Sequence, residues 1–253
     1  EVRMIPSRGG PAPSIHVFAP RAQLRIPQLA GLTQTPHAQR THHDRYTRLR
    51  TDQAPPTHGE QTYPEIMSDI IIPGIGSLEP APALDHLDLL APPVAAALTA
   101  LAERGVATAS SALVVAIDPE LADTEVMTRE FGMDLALSSN CILVAGKRAG
   151  EERIAACVVR ATTNADVNHV VKKRLDVRKA SFWPQERAVE ASGMEYGGIT
   201  PVGVPDSWRL LIDSACSVGW SCIGSGLRRS KLFVTGEVLA ALPGAEIVEG
   251  LGV

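Results

Sequence analysis

Residues suited to holding a small polar group concentrate between Met194 and Pro205, which reads Met-Glu-Tyr-Gly-Gly-Ile-Thr-Pro-Val-Gly-Val-Pro. Gly197, Gly198, Pro201, Gly203 and Pro205 fall within one short stretch, a spacing that neither a helix interior nor a central strand keeps. Glycine permits positive φ and close backbone approach, while proline fixes φ and removes a donor. The expected product is a rigid loop whose N–H groups at Gly198, Ile199 and Thr200 point at a ligand. With a single hydroxyl at Thr200, the loop suits a small uncharged or carbonyl-bearing group. The plainer reading is a tight connection between a helix and a strand.

Other chemistries find less support. The cysteines are Cys141, Cys157, Cys216 and Cys222, with no C-x-x-C pair, and His86 and His169 are the only histidines after residue 66. No metal site and no cofactor is expected, and unpaired cysteines fit a reduced, cytoplasmic setting. His37, His42, His43 and His58 lie in a segment without cysteine, a poor start for a metal site. Gly224-Ser225-Gly226-Leu227-Arg228-Arg229-Ser230-Lys231 suggests a phosphate loop but lacks the Gly-Lys-[Ser/Thr] ending, so a glycine turn with a basic rim is expected. No G-x-S-x-G elbow occurs, so a hydrolase triad of that type is not indicated.

The elements that must position the loop are legible in outline. Residues 1–66 carry eight Arg, no Lys and five acids, with nine of the 19 prolines, and show no period of 2 or 3.6. They read as a disordered extension, with Met67 as a natural start and a targeting peptide as the rival reading. Residues 67–253 read as one domain. Pro93–Arg104 has helix start and stop signals, and Val106–Ile117 reads as a strand. Asp123 or Thr124 caps a short helix ending near Gly132. Cys141–Ala145 and Ile154–Val159 form a hairpin. Asn164–Leu175 and Pro184–Ser192 read as helices, the latter closed by Gly193. Arg209–Asp213, Ser221–Ile223, Lys231–Val234 and Ala245–Val248 read as strands, with a helix over Gly236–Leu242. The fold class is α/β (α+β): a mixed β-sheet curled into a partial barrel, with short helices packed outside. No apolar run of 18 residues exists, so no membrane span is expected.

Gly197-Gly198-Ile199-Thr200-Pro201-Val202-Gly203 resembles the Gly-Gly-[Val/Ile]-[Ser/Thr]-Pro-x-Gly loop of the YbaK family, the prolyl-tRNA synthetase-associated editing domains. Leu175-Asp176-Val177-Arg178-Lys179-Ala180 is similar to that family's Leu-Asp-Leu-Lys-Lys-Ala element, and Thr124-Glu125 to its Thr-x-Glu segment. The resemblance runs from about Leu84 to the C-terminus. It implies a curled-sheet editing fold and hydrolysis of the ester of mischarged tRNA, a second sieve needed because one methylene is worth only ~1–3 kcal/mol of discrimination. It implies aminoacyl-tRNA as partner, with an aminoacyl-tRNA synthetase as a further candidate, and no DNA and no membrane. The implied catalytic positions are Asn140, Gly197, Gly198, Thr200, Pro201 and Ser230. The implied substrate contacts are Thr124, Ser139, Ile199, Asp213, Lys172, Lys173, Lys179 and Arg228. Two positions depart from the family pattern: Asn140, or Ser139 with a one-residue slip, stands where a functional lysine is usual, and Ser230 where an aspartate is common.

Lys147–Arg187 holds ten basic against five acidic residues, and Arg228, Arg229 and Lys231 form a second group. A basic rim around a small apolar pocket suits a ligand with one small group and a polyanionic body, although a solvated helix face is the ordinary fate of such runs. Phe182, Trp183 and Tyr196 are candidates to stack on a terminal adenine. Three readings stay open: an editing deacylase, a degenerate member that binds without hydrolysis, and a protein-interaction module on the same fold.

Overall fold

The computed structural model describes residues 70–253; the expectations for residues 1–66 and for Met67 lie outside them. The described part is a mixed α/β fold of two sheets and short helices. Strands Ala81–Pro82 (β1), Leu113–Ala116 (β2), Trp220–Gly224 (β7) and Ser230–Thr235 (β8) form an antiparallel sheet in the order β1-β2-β8-β7. Strands Ser139–Arg148 (β3), Glu151–Arg160 (β4), Ala180–Phe182 (β5), Arg209–Asp213 (β6) and Ala245–Val248 (β9) form a mixed sheet in the order β5-β3-β4-β6-β9. A parallel bridge between Ser138 and Cys222 joins the two.

The β3–β4 hairpin runs further than its apolar segments. Ten residues of each strand pair, from Ser139 opposite Arg160 to Arg148 opposite Glu151. The turn is Ala149-Gly150, both at positive φ (51° and 89°), and such a two-residue turn matches the twist of the flanking strands. The five-stranded sheet is covered on both faces, which explains its long apolar runs. Leu143, Ala145, Ala156, Val158, Leu210 and Ile212 join the main core with Val94, Leu98, Met194 and Val202. Val144, Ala155, Cys157 and Val159 face the other way, against Val171 and Leu175.

The remaining expectations are met unevenly. Pro92–Glu103 is helical, and Thr124–Phe131 and Gln185–Ser192 are helices closed by Gly132 and Gly193 at φ 64° and 66°. Val106–Ile117 is only partly strand, because Ala107–Ser111 forms a 3-10 turn first; alternating small and hydroxyl residues there satisfy local turns as readily as a ladder. Asn164–Leu175 is not a regular helix. It is a π-turn over Val167–Val171 followed by one α-turn over Lys172–Leu175. The short strand β5 is an addition that sequence reading did not supply. It pairs with Val144–Gly146 at the sheet edge.

Candidate functional site

The glycine loop is locked against the turn that follows β7. Glu195 N–H donates to the Gly226 carbonyl and Gly226 N–H to the Gly198 carbonyl, each at 2.8 Å. The Glu195 carboxylate accepts from Arg228 N–H at 2.6 Å. Gly224 has no room for a side chain: a Cβ there would collide with the carbonyls of Gly198 and Ile199. Gly197 sits at φ 77° beneath the Arg228 guanidinium. The loop is thus rigid, as expected, but its donors are divided. Gly198 N–H is taken by the Glu195 carbonyl at 3.0 Å, closing a turn, so it does not point at a ligand. The Ile199 and Thr200 N–H groups have no acceptor among the described residues. Thr200 is fully buried and its Oγ1 has no partner there. A buried hydroxyl left unpaired costs about 1–3 kcal/mol, and this one belongs to the same residue as one of the two unbonded amides.

The start of the Thr124–Phe131 helix forms the facing wall. Asp123 occupies its N-cap position but makes no side-chain cap. Its carboxylate instead pairs with Arg228 at 3.3 Å, tying the helix start to the cation that lies over Gly197. Thr124 Oγ1 donates to Asn140 Oδ1 at 3.2 Å, which leaves the Asn140 amide donors for another group. Asn140 is half-buried near the start of β3. Ser138, two residues before Asn140, lies opposite Cys222 in a parallel bridge, and Cys222 is two residues before Gly224, the residue under the loop. A chain of contacts thus links Asn140 and Thr124 through Asp123 and Arg228 to Gly197. Pro201, next in the loop, is buried.

The other candidates are placed elsewhere. Ser230 is fully buried, with its Oγ donating to the Leu89 carbonyl at 2.6 Å and lying 2.7 Å from Ser225 Oγ. It points to the main core, on the side of β8 opposite Lys231, and holds the 225–230 turn together. Asp213 accepts from Ala215 N–H at 2.9 Å and Gly252 N–H at 2.7 Å, fastening the C-terminal segment. Ser139 bonds Ser221 at 3.2 Å within a polar knot around Arg160. Lys172 and Lys173 belong to the helical turn that covers the far face of the five-stranded sheet, across from the glycine loop. Lys179 is exposed at the β5 edge. Nearness in sequence misled here, because a strand crossing separates the two faces. Of the three aromatic candidates, Trp183 is buried against Trp208, with ring centroids 5.2 Å apart, so it cannot stack on a base. Phe182 and Tyr196 are exposed.

Two residues near the loop carry roles that local sequence does not signal. Asp123 reads only as a cap. Lys231 reads as part of the basic rim, yet it is buried and its Nζ donates to the Ala122 carbonyl at 2.7 Å. The available signal is a lysine directly before the apolar run Leu232-Phe233-Val234, at the same strand parity as Phe233. Burial pushes the Cys157 and Cys222 thiols up to about 12 and also raises those of Cys141 and Cys216. Among the described residues no cluster suits a metal ion, and no helix is long and apolar enough to cross a membrane.

The sequence profile of the aminoacyl-tRNA editing domain family matches residues 118–242, which hold the glycine loop, Thr124 and Asn140. No curated protein matches the chain by sequence. Among solved structures, a candidate trans-editing enzyme for prolyl-tRNA synthetase superposes with TM-score 0.51 at 19% identity, covering 63% of this chain and 97% of the other. A scaffold protein from computational grafting of epitope backbones gives 0.51 at 18% identity, with 65% and 99% covered. At these identities the superpositions speak to the fold, which they share with this two-sheet domain. The profile match over residues 118–242 is a likeness in sequence to the aminoacyl-tRNA editing domain family, on a fold that the superpositions share.

Proposed function

We propose that this domain is a trans-editing deacylase that hydrolyses the ester of mischarged tRNA. The observation that supports the reading is the pair of N–H groups at Ile199 and Thr200 without an acceptor among the described residues, on a loop tied through Arg228 and Asp123 to the bonded Thr124–Asn140 pair. Two backbone donors on a rigid loop stabilise the oxyanion formed when water attacks an ester carbonyl. The Asn140 amide donors are placed for the aminoacyl group. Asn140 is neutral at all working pH values, so it orients and does not exchange protons. The attacking water or the terminal ribose hydroxyl supplies the proton movement. The polyanionic body of the tRNA would be met by exposed cations around the site, while Arg228, over the glycine loop, is half-buried and ion-paired with Asp123. The partner class is aminoacyl-tRNA, together with the synthetase whose errors are cleared, and the working place is the cytoplasm.

The neutral Asn140 favours one second reading, a domain that binds the aminoacyl end without hydrolysing it. A deacylation screen over a panel of mischarged tRNAs separates the two. Release of amino acid from at least one member above the buffer rate supports the deacylase. Binding of an aminoacyl-tRNA without release on any member supports the second reading.

A further inference from the structure

Lys231 is 7% exposed, the second residue of strand β8. Its one hydrogen-bond partner among the described residues is the Ala122 carbonyl, and it forms no ion pair there. An ammonium carries three donors, so two have no partner. Lysine is rarely buried without a paired charge, and a buried unpaired cation costs stability. Desolvation lowers its pKa from the ordinary lysine value and the Arg228 charge on the 225–230 turn adds to this, against Cys222 on β7 and Asp123 at the helix start. A costly group kept beside a candidate site is more informative than one on the surface.

Its surroundings are the walls of the site. Lys231 is the cross-strand partner of Gly224, so both side-chain directions share a face of the sheet. On that face the carbonyls of Gly198 and Ile199 lie against Gly224. Its Nζ holds Ala122, and the next two residues are Asp123, bound to Arg228, and Thr124, bound to Asn140. We propose that Lys231 is a ligand-contacting residue of this site, its ammonium donating a hydrogen bond to the carbonyl oxygen of the bound acyl group. The proposal rests on the deacylase reading. In the step it serves, water adds to the acyl carbon and the C=O electron pair moves onto oxygen, where the ammonium and the loop amides meet it. Collapse then breaks the ester C–O bond, and the departing ribose oxygen takes the proton lost by the water. Lys231 keeps its own protons throughout.

The signs of two pH effects follow. The reactive form is the ammonium, so activity falls as pH rises through the lowered folded-state pKa. Folding stability moves the other way: the cost of burying the ammonium is full below that value and is relieved as pH rises from it toward the unfolded value. The experiment measures thermal midpoint and deacylation kinetics against pH for the full chain, for Lys231→Met and for Lys231→Arg, with the mischarged tRNA that the native protein cleaves fastest. Lys231→Met should keep or raise the midpoint at neutral pH, lower kcat on the order of a hundredfold with little change in KM, and lose the alkaline fall. Lys231→Arg should recover part of kcat without that fall. Unchanged kcat in Lys231→Met, or a loss of kcat that only follows a lowered midpoint, overturns the proposal while leaving the deacylase reading intact. If Lys231→Met does not fold, a native profile without an alkaline fall, or an arginine variant that keeps it, overturns the proposal. A native protein that cleaves no mischarged tRNA removes the deacylase reading and this proposal with it.

Discussion

Thr124 and Asn140 stand on different elements, a helix start and a sheet strand, and are joined by a 3.2 Å hydrogen bond between Oγ1 and Oδ1. That bond fixes which side of the Asn140 amide is left for a ligand. Neither residue has charge, so their joint contribution is orientation. Asn140→Ala should cost about tenfold in deacylation rate and Thr124→Val somewhat less. A double-mutant cycle should give a coupling of about 0.5–1.5 kcal/mol, the worth of one neutral hydrogen bond. Additive effects would show that the two act apart.

Replacing Asn140 by lysine introduces a second ammonium at a half-buried position on the side of the site that already holds Arg228 and Lys231. Like charges in a poorly solvated place repel. Asn140→Lys should therefore lower both the thermal midpoint and the deacylation rate. A gain in rate would instead identify the native domain as a weakened editor.

Gly224→Ala places a methyl group against the carbonyls of Gly198 and Ile199. Backbone on both sides has little freedom to yield, so the expected loss is about 1–3 kcal/mol, read by urea unfolding. Because the shifted segment carries the free amides, kcat should fall more than the stability loss alone explains.

Ser230→Ala removes a hydroxyl bonded to the Leu89 carbonyl and to Ser225, and leaves a buried acceptor short of its donor. A loss of about 1–3 kcal/mol in stability is expected, with kcat/KM at low temperature close to native. A large kinetic loss at full stability would return Ser230 to the list of chemical groups.

The Glu152 carboxylate receives two hydrogen bonds from Arg187, at 2.8 and 2.6 Å, and these hold its pKa below the usual glutamate value. The stability it adds is complete above the unfolded-state pKa and disappears as pH falls through the lowered folded-state value. The pair is partly exposed, so the amount is at most about 1 kcal/mol. Thermal midpoints of native protein and Glu152→Gln between neutral pH and pH 3 should converge on the acid side. Parallel curves would show that the pair is energetically silent.

The sequence alone determined the loop and most of its frame. Gly197, Gly203 and the prolines exclude regular structure by sterics, Gly132 and Gly193 end helices through φ values that other residues resist, and alternating apolar runs place the hairpin. Those are local rules, and they survive in any tertiary context. What the tertiary structure decided is which residues meet. Lys172 and Lys173 precede the loop by a short length of chain yet lie across a sheet from it, whereas Asp123 and Arg228 are far apart in sequence and form an ion pair. Ser230 and Lys231 are adjacent, but strand alternation sends one into the main core and the other toward the candidate site. Gly198 reads as a free donor in sequence, but the Glu195 carbonyl accepts its N–H and closes a turn. Hydrogen-bond partners and sheet faces depend on strand register, which is set by packing across the whole domain and carries no local signature.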